Sequence, residues 1–533
     1  MQPFDLMSYP YASSRAVVMG TRGAVATAQP LAAAAGAEML LAGGNAVDAA
    51  IAMAIDLTVV EPTSNGLGSD AFALVWDGAL HGLNASGKSP QALSLEMWEG
   101  LEHLPLRGWL ATTVPGAVSA WQALWRRWGK LPFERLFEPA IRHADNGFPV
   151  SPGVARKWRQ QAKNYLSLTS EVHQPFRELF FPGDRAPCSG EIWRCPKQAA
   201  TLRELAATEG ESFYRGRLAE QIIAFAELTE GVLCLDDLKT HQAEWVKPIS
   251  TTYRGLTISE LPPNGQGIAA LIALNIFEGC DLATEQRESV ATYHHQIEAM
   301  KLAFADTYRY VADPAWMDIT VAELLDKAYA TRRRKLISNL AIRLAEPGLP
   351  KGGTVYLAAA DDELMVSFIQ SNFMGFGSGI AIPSTGISLQ NRGAGFDIDP
   401  NHPNTIAPSK RPFSTIIPSF LSRDGQALGP FGLMKDSMQP QGHMQIVSNL
   451  VDHGLNPQAA LDAPRWRFDF GNRVLLEQTV PRQVALGLAD LGHDIHITAE
   501  PDTFGKGQII LRLNNGALVA ASEPRADGIA IAL

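Results

Sequence analysis

Apolar residues recur with helical periodicity near the start of the chain, and small polar residues and glycines mark the ends of the helices. Pro30 begins an alanine-rich apolar run, Gly43-Gly44 ends it, and Asn45 has the polar side chain that favours a helix N-cap. A second helix is therefore predicted to follow. The glycine-rich turn Asn65–Asp70 then leads into an apolar strand over Ala71–Trp76. The pattern predicts two packed helices connected to a sheet.

The pattern of the remaining chain divides into two parts. Pro115-Gly116 opens another helical segment, and helix-like periodicity continues over about residues 130–345. After a break near residues 345–354, two apolar segments, Thr354–Ala360 and Leu364–Gln370, are predicted to form a β-hairpin around an acidic turn. The sum is an α/β chain in which helices cover antiparallel sheets.

Composition and charge exclude several classes of protein. Apolar residues make up 46% of the 533 residues and charged residues only 19%, which excludes a largely disordered chain. The 45 basic residues are outnumbered by 55 acidic ones, and a net charge of −10 provides no overall positive field for nucleic acid or an anionic membrane. The most apolar stretch, residues 46–60, is too short to span a bilayer. We expect no nucleic-acid partner and no membrane partner.

The cysteines and the amino terminus favour a cytoplasmic protein. Cys188, Cys195, Cys234 and Cys280 form neither a dense disulfide pattern nor a C-x-x-C pair. Residues 1–10 contain no basic segment followed by an apolar one, so no secretory signal is predicted.

Common catalytic and metal-binding motifs do not occur in the sequence. It contains no P-loop, no H-E-x-x-H and no G-x-S-x-G. His294 and His295, with Glu298 nearby, suggest a metal site, but adjacent helical residues point in different directions and the sequence nominates no third ligand. No metal and no cofactor is predicted.

The junction Gly352-Gly353-Thr354 is a candidate site of chemistry. If the chain were cut before Thr354, this residue would hold both a nucleophilic hydroxyl and a free α-amine with a pKa of about 8, which can act as its base. Glycine before the cut allows backbone conformations that an N-to-O acyl shift needs. The alternative interpretation is an ordinary turn before a strand.

Further motifs connect this junction to a family. The chain resembles γ-glutamyltranspeptidases in a series of motifs that occur in the same order: Gly43–Ala50, Glu61–Gly68, Val114–Gly116, Gly353-Thr354, Phe376–Gly379, Lys410–Thr415 and Asn456–Arg465. Gln439–His443 and Ser367–Asn372 are more similar to the bacterial branch labelled γ-glutamyltranspeptidase-like or cephalosporin-acylase-like.

The resemblance implies an Ntn-hydrolase fold, which is an αββα sandwich of antiparallel sheets between helical layers. It also implies a precursor that cuts itself into a large, mainly helical subunit (residues 1–353) and a small, β-rich subunit (residues 354–533), which together form one unit. Thr354 corresponds to the catalytic nucleophile of the family. The hydroxyl that assists it falls on Ser371, and Gln370 is then excluded.

The resemblance also nominates residues that bind the substrate. Ser414 and Thr415 match a serine pair that binds the α-carboxylate of the substrate, with two hydroxyls in a strand-edge turn as the alternative. The arginine that clamps this carboxylate has no clear counterpart; Ser86 lies near its place, and Lys88 is the closest cation. A lysine would not reproduce the bidentate contact of an arginine.

The segment Asn391–Phe396 departs from the family in a way that changes the expected substrate. Asn391 and Arg392 are assigned to the substrate site, with Arg392 where relatives have glutamine or glutamate. Gly395 replaces the aspartate that receives the α-ammonium of the substrate. This change favours an acyl group with a carboxylate and no ammonium, such as a glutaryl-type chain, or a γ-glutamyl group bound differently.

The largest departure is at the oxyanion hole. Relatives use the backbone N–H groups of a Gly-Gly pair, which aligns with Lys435 and Asp436. Backbone donors survive this replacement, but glycine can be needed for the backbone conformation. The carboxylate of Asp436 is also expected to repel the developing oxyanion.

The resulting hypothesis is a self-processed amidohydrolase or acyltransferase that cleaves γ-glutamyl or glutaryl-type amides through an acyl-Thr354 ester. Its partners are a small-molecule amide and water or an amine acceptor, and its two subunits are expected to form a heterodimer. The alternative is a catalytically weak or inactive relative that binds a small acidic ligand or a partner.

Overall fold

The computed structural model describes residues 11, 15–98, 104–280, 282, 286–343 and 353–533. The amino-terminal residues 1–10, Gly352 and most of the predicted break at residues 345–354 lie outside the described residues.

The described residues form the following strands: β1 (Val18–Gly20), β2 (Gly23–Thr27), β3 (Asp70–Trp76), β4 (Leu80–Asn84), β5 (Phe148–Pro149), β6 (Ile192–Trp193), β7 (Glu244–Val246), β8 (Ile249–Tyr253), β9 (Leu256–Glu260), β10 (Gly353–Asp361), β11 (Met365–Phe373), β12 (Ser419–Arg423), β13 (Gln426–Met434), β14 (Trp466–Phe468), β15 (Arg473–Glu477), β16 (Asp494–Thr498), β17 (Lys506–Arg512), β18 (Leu518–Ser522) and β19 (Ile529–Ala532).

The α-helices of the described residues are α1 (Pro30–Leu41), α2 (Ala46–Val60), α3 (Ala117–Trp128), α4 (Phe133–Asn146), α5 (Pro152–Leu166), α6 (Gln174–Phe180), α7 (Pro196–Ala207), α8 (Glu211–Arg215), α9 (Arg217–Leu228), α10 (Leu235–Thr240), α11 (Gly267–Glu278), α12 (Val290–Tyr310), α13 (Val321–Leu324), α14 (Lys327–Arg334), α15 (Met438–Val451), α16 (Pro457–Asp462) and α17 (Arg482–Asp490). Within this part of the chain, no helix combines the length and the apolar character needed to cross a bilayer.

The amino-terminal helices form where the sequence predicts them. α1 has proline in its first turn, and the side chain of Gln29 accepts a hydrogen bond from the backbone N–H of Leu31. Asn45 caps α2 through a reciprocal capping box with Asp48. All residues of α2 are buried, which explains its apolar character without a membrane.

Two antiparallel seven-stranded sheets occupy the centre. Sheet I has the order β19-β2-β10-β11-β3-β4-β7, and sheet II has the order β1-β18-β17-β13-β12-β9-β8. The predicted hairpin is confirmed, because β10 and β11 pair antiparallel in the middle of sheet I. Each sheet thus combines strands from both sides of residue 353, whereas the cleavage boundary itself remains a prediction.

The sheets pack face to face between two helical layers. Side chains such as Phe72, Tyr356, Phe420 and Ile510 form the core between the sheets. The outer face of sheet I packs against a cluster that includes α1 to α4, and the outer face of sheet II packs against one that includes α11, α12 and α15. This arrangement confirms the predicted αββα sandwich.

One prediction of secondary structure was incomplete. The region of residues 130–345 contains the strands β5 to β9 in addition to its helices. β5 and β6 pair with each other, and β7, β8 and β9 join the two large sheets. These last three strands are three to five residues long and join sheets whose other strands come from distant parts of the chain. Such short strands carry little periodicity of their own, since long-range pairing stabilises them.

Candidate active site

Thr354 is the second residue of β10 and lies at an irregularity of the ladder. The register with β11 shifts by one residue between Gly353 and Val355, so Thr354 lies opposite two residues of β11 instead of one. Its Oγ1 is 3.1 Å from the Oγ of Ser371. Thr354 is only 2% exposed. The bulge therefore brings two hydroxyls into contact at a nearly buried position.

A backbone contact fixes the Ser371 hydroxyl. The N–H of Phe373 donates to Ser371 Oγ at 2.8 Å. The neighbouring Gln370 points elsewhere, because its amide donates to Asn65 Oδ1 at 2.7 Å and accepts from the indole N–H of Trp121 at 3.1 Å. The structure thus places Ser371, and not Gln370, beside Thr354.

Arg392 is a fully buried cation that contacts Phe373, two residues after Ser371. Its Nη1 donates to Thr415 Oγ1 at 3.0 Å, its Nε is 3.5 Å from Asp70 Oδ2, and its guanidinium lies 4.5 Å from the ring centroid of Phe373. Within the described part of the chain, its Nε and Nη2 have no hydrogen-bond acceptor. Two buried N–H groups are therefore available to an anionic ligand.

Burial dominates the ionisation of this pair. Desolvation lowers the pKa of Arg392 to about 10, although Asp70 opposes the shift. Desolvation also raises the pKa of Asp70 to about 6, against the opposing effect of Arg392. Arg392 is charged at neutral pH, and Asp70 is close enough to its titration range to respond to small changes around it.

Ser414 and Thr415 lie in a segment that Gln266 and Asn264 hold in place. The N–H of Ser414 donates to the carbonyl of Asn264, and its carbonyl accepts from the N–H of Gln266, both at 2.9 Å. The side-chain amide of Gln266 donates to the Thr415 carbonyl at 2.6 Å. Within the described residues, the Ser414 hydroxyl has no hydrogen-bond partner, which leaves it available to a ligand.

Asn391 supports the backbone of the site. Its Oδ1 accepts from the N–H of Met374 at 3.0 Å, and its Nδ2 donates to the carbonyl of Leu106 at 2.9 Å. Its own N–H donates to the carbonyl of Asn372, which belongs to the strand that carries Ser371. These contacts occupy its amide and join three loop segments.

Ser86 lies beside Asn264, whose Nδ2 donates to its hydroxyl at 3.2 Å and whose carbonyl holds Ser414, whereas Lys88 lies in other surroundings. The Ser86 hydroxyl donates to Asn84 Oδ1 at 2.7 Å. Lys88 is exposed and lines a cavity of about 280 Å³ with Glu244 and Arg411. Neither is among the described residues that line the cavity beside Thr354. The structure does not bring these two residues together with the threonine.

Lys435 and Asp436 occupy the turn between β13 and α15. Their φ angles are +123° and +33°, in the region that favours glycine. The amide of Gln266 donates to the Asp436 carbonyl at 2.8 Å and helps to hold the turn. The backbone therefore has a conformation suited to the glycine pair of relatives, although side chains occupy both positions.

The side chain of Asp436 corrects one expectation from the sequence. Its Oδ1 lies 2.9 Å from Arg467 Nη2, and both residues are buried. The guanidinium of Arg467 balances the charge of the Asp436 carboxylate at short range, so this carboxylate is not an unpaired negative charge. The 30 residues between them carry no local pattern that predicts this pair.

A cavity opens next to Thr354 on the side of Lys435. It has a volume of about 130 Å³, and its lining includes Lys157, Asp502 and Lys506 in addition to Thr354 and Lys435. Lys157, Asp502, Lys506 and also Asp70 were missed by the sequence reasoning. Only Asp70 had a signal, because it ends the glycine-rich turn Asn65–Asp70; the others lie far along the chain from residue 354.

The histidine pair has a third neighbour that the sequence did not nominate. Ligand atoms of His294, Glu298 and His493 lie within 4.8 Å of one another. However, His294 Nδ1 and His493 Nε2 share a hydrogen bond of 2.9 Å, and the Lys301 ammonium lies 2.8 Å from Glu298 Oε1. Because a buried ammonium already pairs with the carboxylate, we interpret the cluster as a polar network of the core.

Comparison with known proteins identifies the family. The sequence profile described as Gamma-glutamyltranspeptidase matches residues 32–533. The Glutathione hydrolase-like YwrD proenzyme of Bacillus subtilis is 36% identical over 97% of this chain and 99% of the relative. The Oxamate amidohydrolase proenzyme of Klebsiella pneumoniae is 33% identical over 96% and 98%, respectively. The crystal structure of a cephalosporin acylase from Bacillus halodurans superposes with a TM-score of 0.95 at 52% identity and covers 99% of both chains. The chain belongs to the gamma-glutamyltranspeptidase family and is an Ntn hydrolase, as the sequence predicted.

Proposed function

We propose that the protein cuts its own chain between Gly353 and Thr354 and then cleaves amides whose acyl part carries a carboxylate but no α-ammonium. The observation that carries this proposal is the buried Thr354–Ser371 hydroxyl pair near a guanidinium with two unused N–H groups. A glutaryl-type chain has the required chemistry. The acyl part of oxamate, which names one relative, also carries a carboxylate without an ammonium.

The proposed reaction uses Thr354 as nucleophile and base. The free α-amine accepts the hydroxyl proton while Oγ1 attacks the amide carbonyl carbon. The C–N bond then breaks, the amine leaves with that proton, and an acyl-Thr354 ester remains. Water or an amine adds to the ester, and the acyl product leaves as the threonine hydroxyl is restored. Ser371 orients the nucleophile through its hydrogen bond.

Other residues receive binding roles in this proposal. The backbone N–H groups of Lys435 and Asp436 stabilise the oxyanion, whose charge develops at the tetrahedral stage. Arg392, Ser414 and Thr415 bind the acyl carboxylate. Asn391 holds the loop that presents Arg392. Ser86 has an indirect part at most, through Asn264, which holds Ser414, and we give Lys88 no part, because it lines a different cavity.

Gly395 and Arg392 are the reasons why we propose an acyl group without an α-ammonium. A Cβ built on Gly395 would lie 2.7 Å from the Phe413 carbonyl oxygen, so the local backbone leaves no room for an acidic side chain. The charge of Arg392 also repels an ammonium. Both features act against a γ-glutamyl group bound as in relatives.

A second candidate is a γ-glutamyl group bound differently. Asp70 Oδ2 is buried and lies 3.5 Å from Arg392 Nε, but it makes no hydrogen bond among the described residues. This oxygen is the acceptor that a substrate ammonium would need. The two candidates differ in one functional group, which makes them simple to separate.

A matched pair of substrates tests the proposed acyl group. Glutaryl and γ-glutamyl amides of the same amine should differ in kcat/KM by less than ~100-fold, because Gly395 has no side chain that could accept a hydrogen bond from the ammonium. Cephalosporin amides with a glutaryl chain extend the panel. A strong preference for the γ-glutamyl amide would reject the first candidate and support the second, with Asp70→Asn as the decisive variant.

Self-cleavage is tested on the purified protein. A denaturing gel should show two fragments of 353 and 180 residues from the 533-residue chain, and amino-terminal sequencing of the smaller one should give Thr-Val-Tyr-Leu. Thr354→Ala should stay uncut, whereas the matched variant Thr385→Ala should divide normally. An uncut wild-type chain would support the inactive alternative.

We also propose that the two fragments stay together as a heterodimer. β10 and β11 would belong to the small fragment, yet they lie between β2 and β3 of the large one. Separation would expose the core of sheet I, so gel filtration should show one species of full mass after cleavage.

A further inference from the structure

The cavity beside Thr354 contains more positive than negative charge. Lys157, Lys435 and Lys506 line it, together with the single carboxylate of Asp502. The three lysines share one cavity wall, and neighbouring lysines lower the pKa of both Lys157 and Lys435. Such a concentration of cations next to a nucleophile needs an explanation, because neighbouring cations repel one another.

Two of these lysines have partners within the fold. Lys506 Nζ lies 2.9 Å from Asp502 Oδ1, and this carboxylate lies 3.6 Å from Arg156 as well. Lys157 donates a hydrogen bond to the Ser64 hydroxyl, and the buried carboxylate of Glu61 raises its pKa against the larger lowering by burial. These contacts indicate that Lys157 and Lys506 stabilise the fold through interactions with neighbouring side chains.

Lys435 differs from the other two. Among the residues that the structure describes, no hydrogen bond and no ion pair involves its ammonium. The side chain is half-buried and faces the cavity that it shares with Thr354. Burial lowers the pKa of Lys435, although the carboxylates of Asp436 and Asp502 oppose the shift. A ligand anion would supply a direct partner.

We propose that this cavity binds a carboxylate on the amine part of the amide, with Lys435 as its main contact. The inference rests on the proposed function and adds the leaving-group side to it. A carbonyl carbon at Thr354 has two substituents, and the acyl carboxylate belongs on the side of Arg392, Ser414 and Thr415. None of these three residues is among the described residues that line the cavity. The other substituent, the amine part, is then left to occupy the cavity that Lys435 lines.

The size of the cavity fits this role. Its volume of about 130 Å³ is roughly ten times the ~10–15 Å³ that one water molecule needs. An amino acid or a small aromatic amine with one carboxylate has a suitable number of atoms. The same cavity would also select among amine acceptors, because the acceptor attacks the ester from the position that the leaving amine has vacated.

The test compares two leaving groups on one acyl chain. The chain is whichever acyl group the substrate panel shows to be cleaved, linked either to 4-aminobenzoate or to 4-aminobenzamide, which has the same size without the charge. The wild-type protein should prefer the carboxylated amide by about 10-fold or more in kcat/KM, as expected for a charge-assisted hydrogen bond. Lys435→Met should lose this preference, and Lys435→Arg should retain most of it.

The control variant is Lys197→Met, which removes an exposed lysine on α7 and should leave the preference unchanged. Product inhibition provides a measurement on the wild-type protein alone: 4-aminobenzoate should inhibit more strongly than 4-aminobenzamide. Equal inhibition and equal cleavage of the two amides by the wild-type protein would overturn the inference. So would a Lys435→Met variant that loses the same factor on both.

The failure of the proposed function would look different. If fully processed protein cleaves neither amide with any acyl chain, the proposed function is wrong, and this inference is rejected with it. If both amides are cleaved without discrimination, the proposed function stands and only the carboxylate site is rejected.

Discussion

Arg392 and Lys435 are two cations of the candidate site whose contacts within the fold differ. Arg392 is fully buried, donates to Thr415, and pairs with Asp70. Lys435 faces a cavity, and within the described residues its ammonium has no partner. A guanidinium that the fold already holds is suited to fixed recognition of one planar group, whereas an unpartnered ammonium on a flexible stem can accept anions of various shapes. The comparison predicts a demanding acyl side and a more tolerant amine side.

The largest effect should follow the loss of Arg392. Arg392→Met leaves Asp70 buried without its cation, which should lower the free energy of unfolding by roughly 3 kcal/mol near pH 8. Removing the cation raises the pKa of Asp70 further above its value of about 6, so the folded state binds a proton that the unfolded state releases. The free energy of unfolding should therefore fall as pH rises from about 4 through that pKa. Urea denaturation at pH 5 and pH 8 measures the difference.

The double variant Arg392→Met/Asp70→Asn is the control for this prediction. It removes both charges and should flatten the pH dependence. An equal loss of stability at both pH values in Arg392→Met would mean that Asp70 does not respond to the guanidinium, and the contrast between the paired and the unpaired cation would weaken.

Loss of the Ser371 hydroxyl should slow the acylation reaction equally for both kinds of leaving amine. Ser371→Ala removes the hydroxyl that lies 3.1 Å from Thr354 Oγ1, and the acylation rate should fall by roughly 10- to 100-fold. Because Ser371 contacts the nucleophile and not the leaving group, the loss should be the same for carboxylated and uncarboxylated amines. Single-turnover acylation of both amides measures it, with Ser371→Thr as the variant that keeps a hydroxyl. A loss confined to one amide would place Ser371 in amine recognition.

The sequence predicts those parts of the molecule that local chemistry determines. The cap at Asn45 and the hairpin of β10 and β11 depend on residues within about twenty positions of one another, whereas the assignments of Thr354 and Ser371 came from the resemblance to the family. In contrast, the Asp70–Arg392 pair, the Asp436–Arg467 pair and the Lys157–Lys435–Lys506 cluster join distant segments. Their proximity depends on how the sheets stack, which no local pattern encodes. β7 to β9 were missed for the same reason.

A substitution at Asp436 tests whether the Asp436–Arg467 ion pair holds its charge as firmly as the Asp70–Arg392 pair does. The sequence alone suggested that removing the carboxylate would speed acylation. Since Asp436 pairs with Arg467 at 2.9 Å, we expect Asp436→Asn to give no gain in acylation rate and to lower the free energy of unfolding by roughly 1–3 kcal/mol. Single-turnover kinetics and urea denaturation measure the two effects. Faster acylation would restore the original hypothesis of electrostatic repulsion.

The smallest effect concerns the backbone of Lys435, and it separates the conformation of this residue from its charge. A φ of +123° is unfavourable for any residue with a Cβ and costs on the order of 1–3 kcal/mol. Glycine removes this cost, but it also increases the entropy of the unfolded chain, which offsets part of the gain. Lys435→Gly should therefore raise the free energy of unfolding by about 1 kcal/mol, while Lys435→Met should not. Both variants lack the ammonium, so both should lose the preference for a carboxylated amine. If the strained backbone also misplaces the oxyanion donors, only Lys435→Gly should acylate the uncharged amide faster than the wild-type protein, through kcat more than KM. Equal acylation rates in the two variants would show that lysine already holds the donors correctly, and that its side chain, not its backbone, is what distinguishes this site from the glycine pair of its relatives.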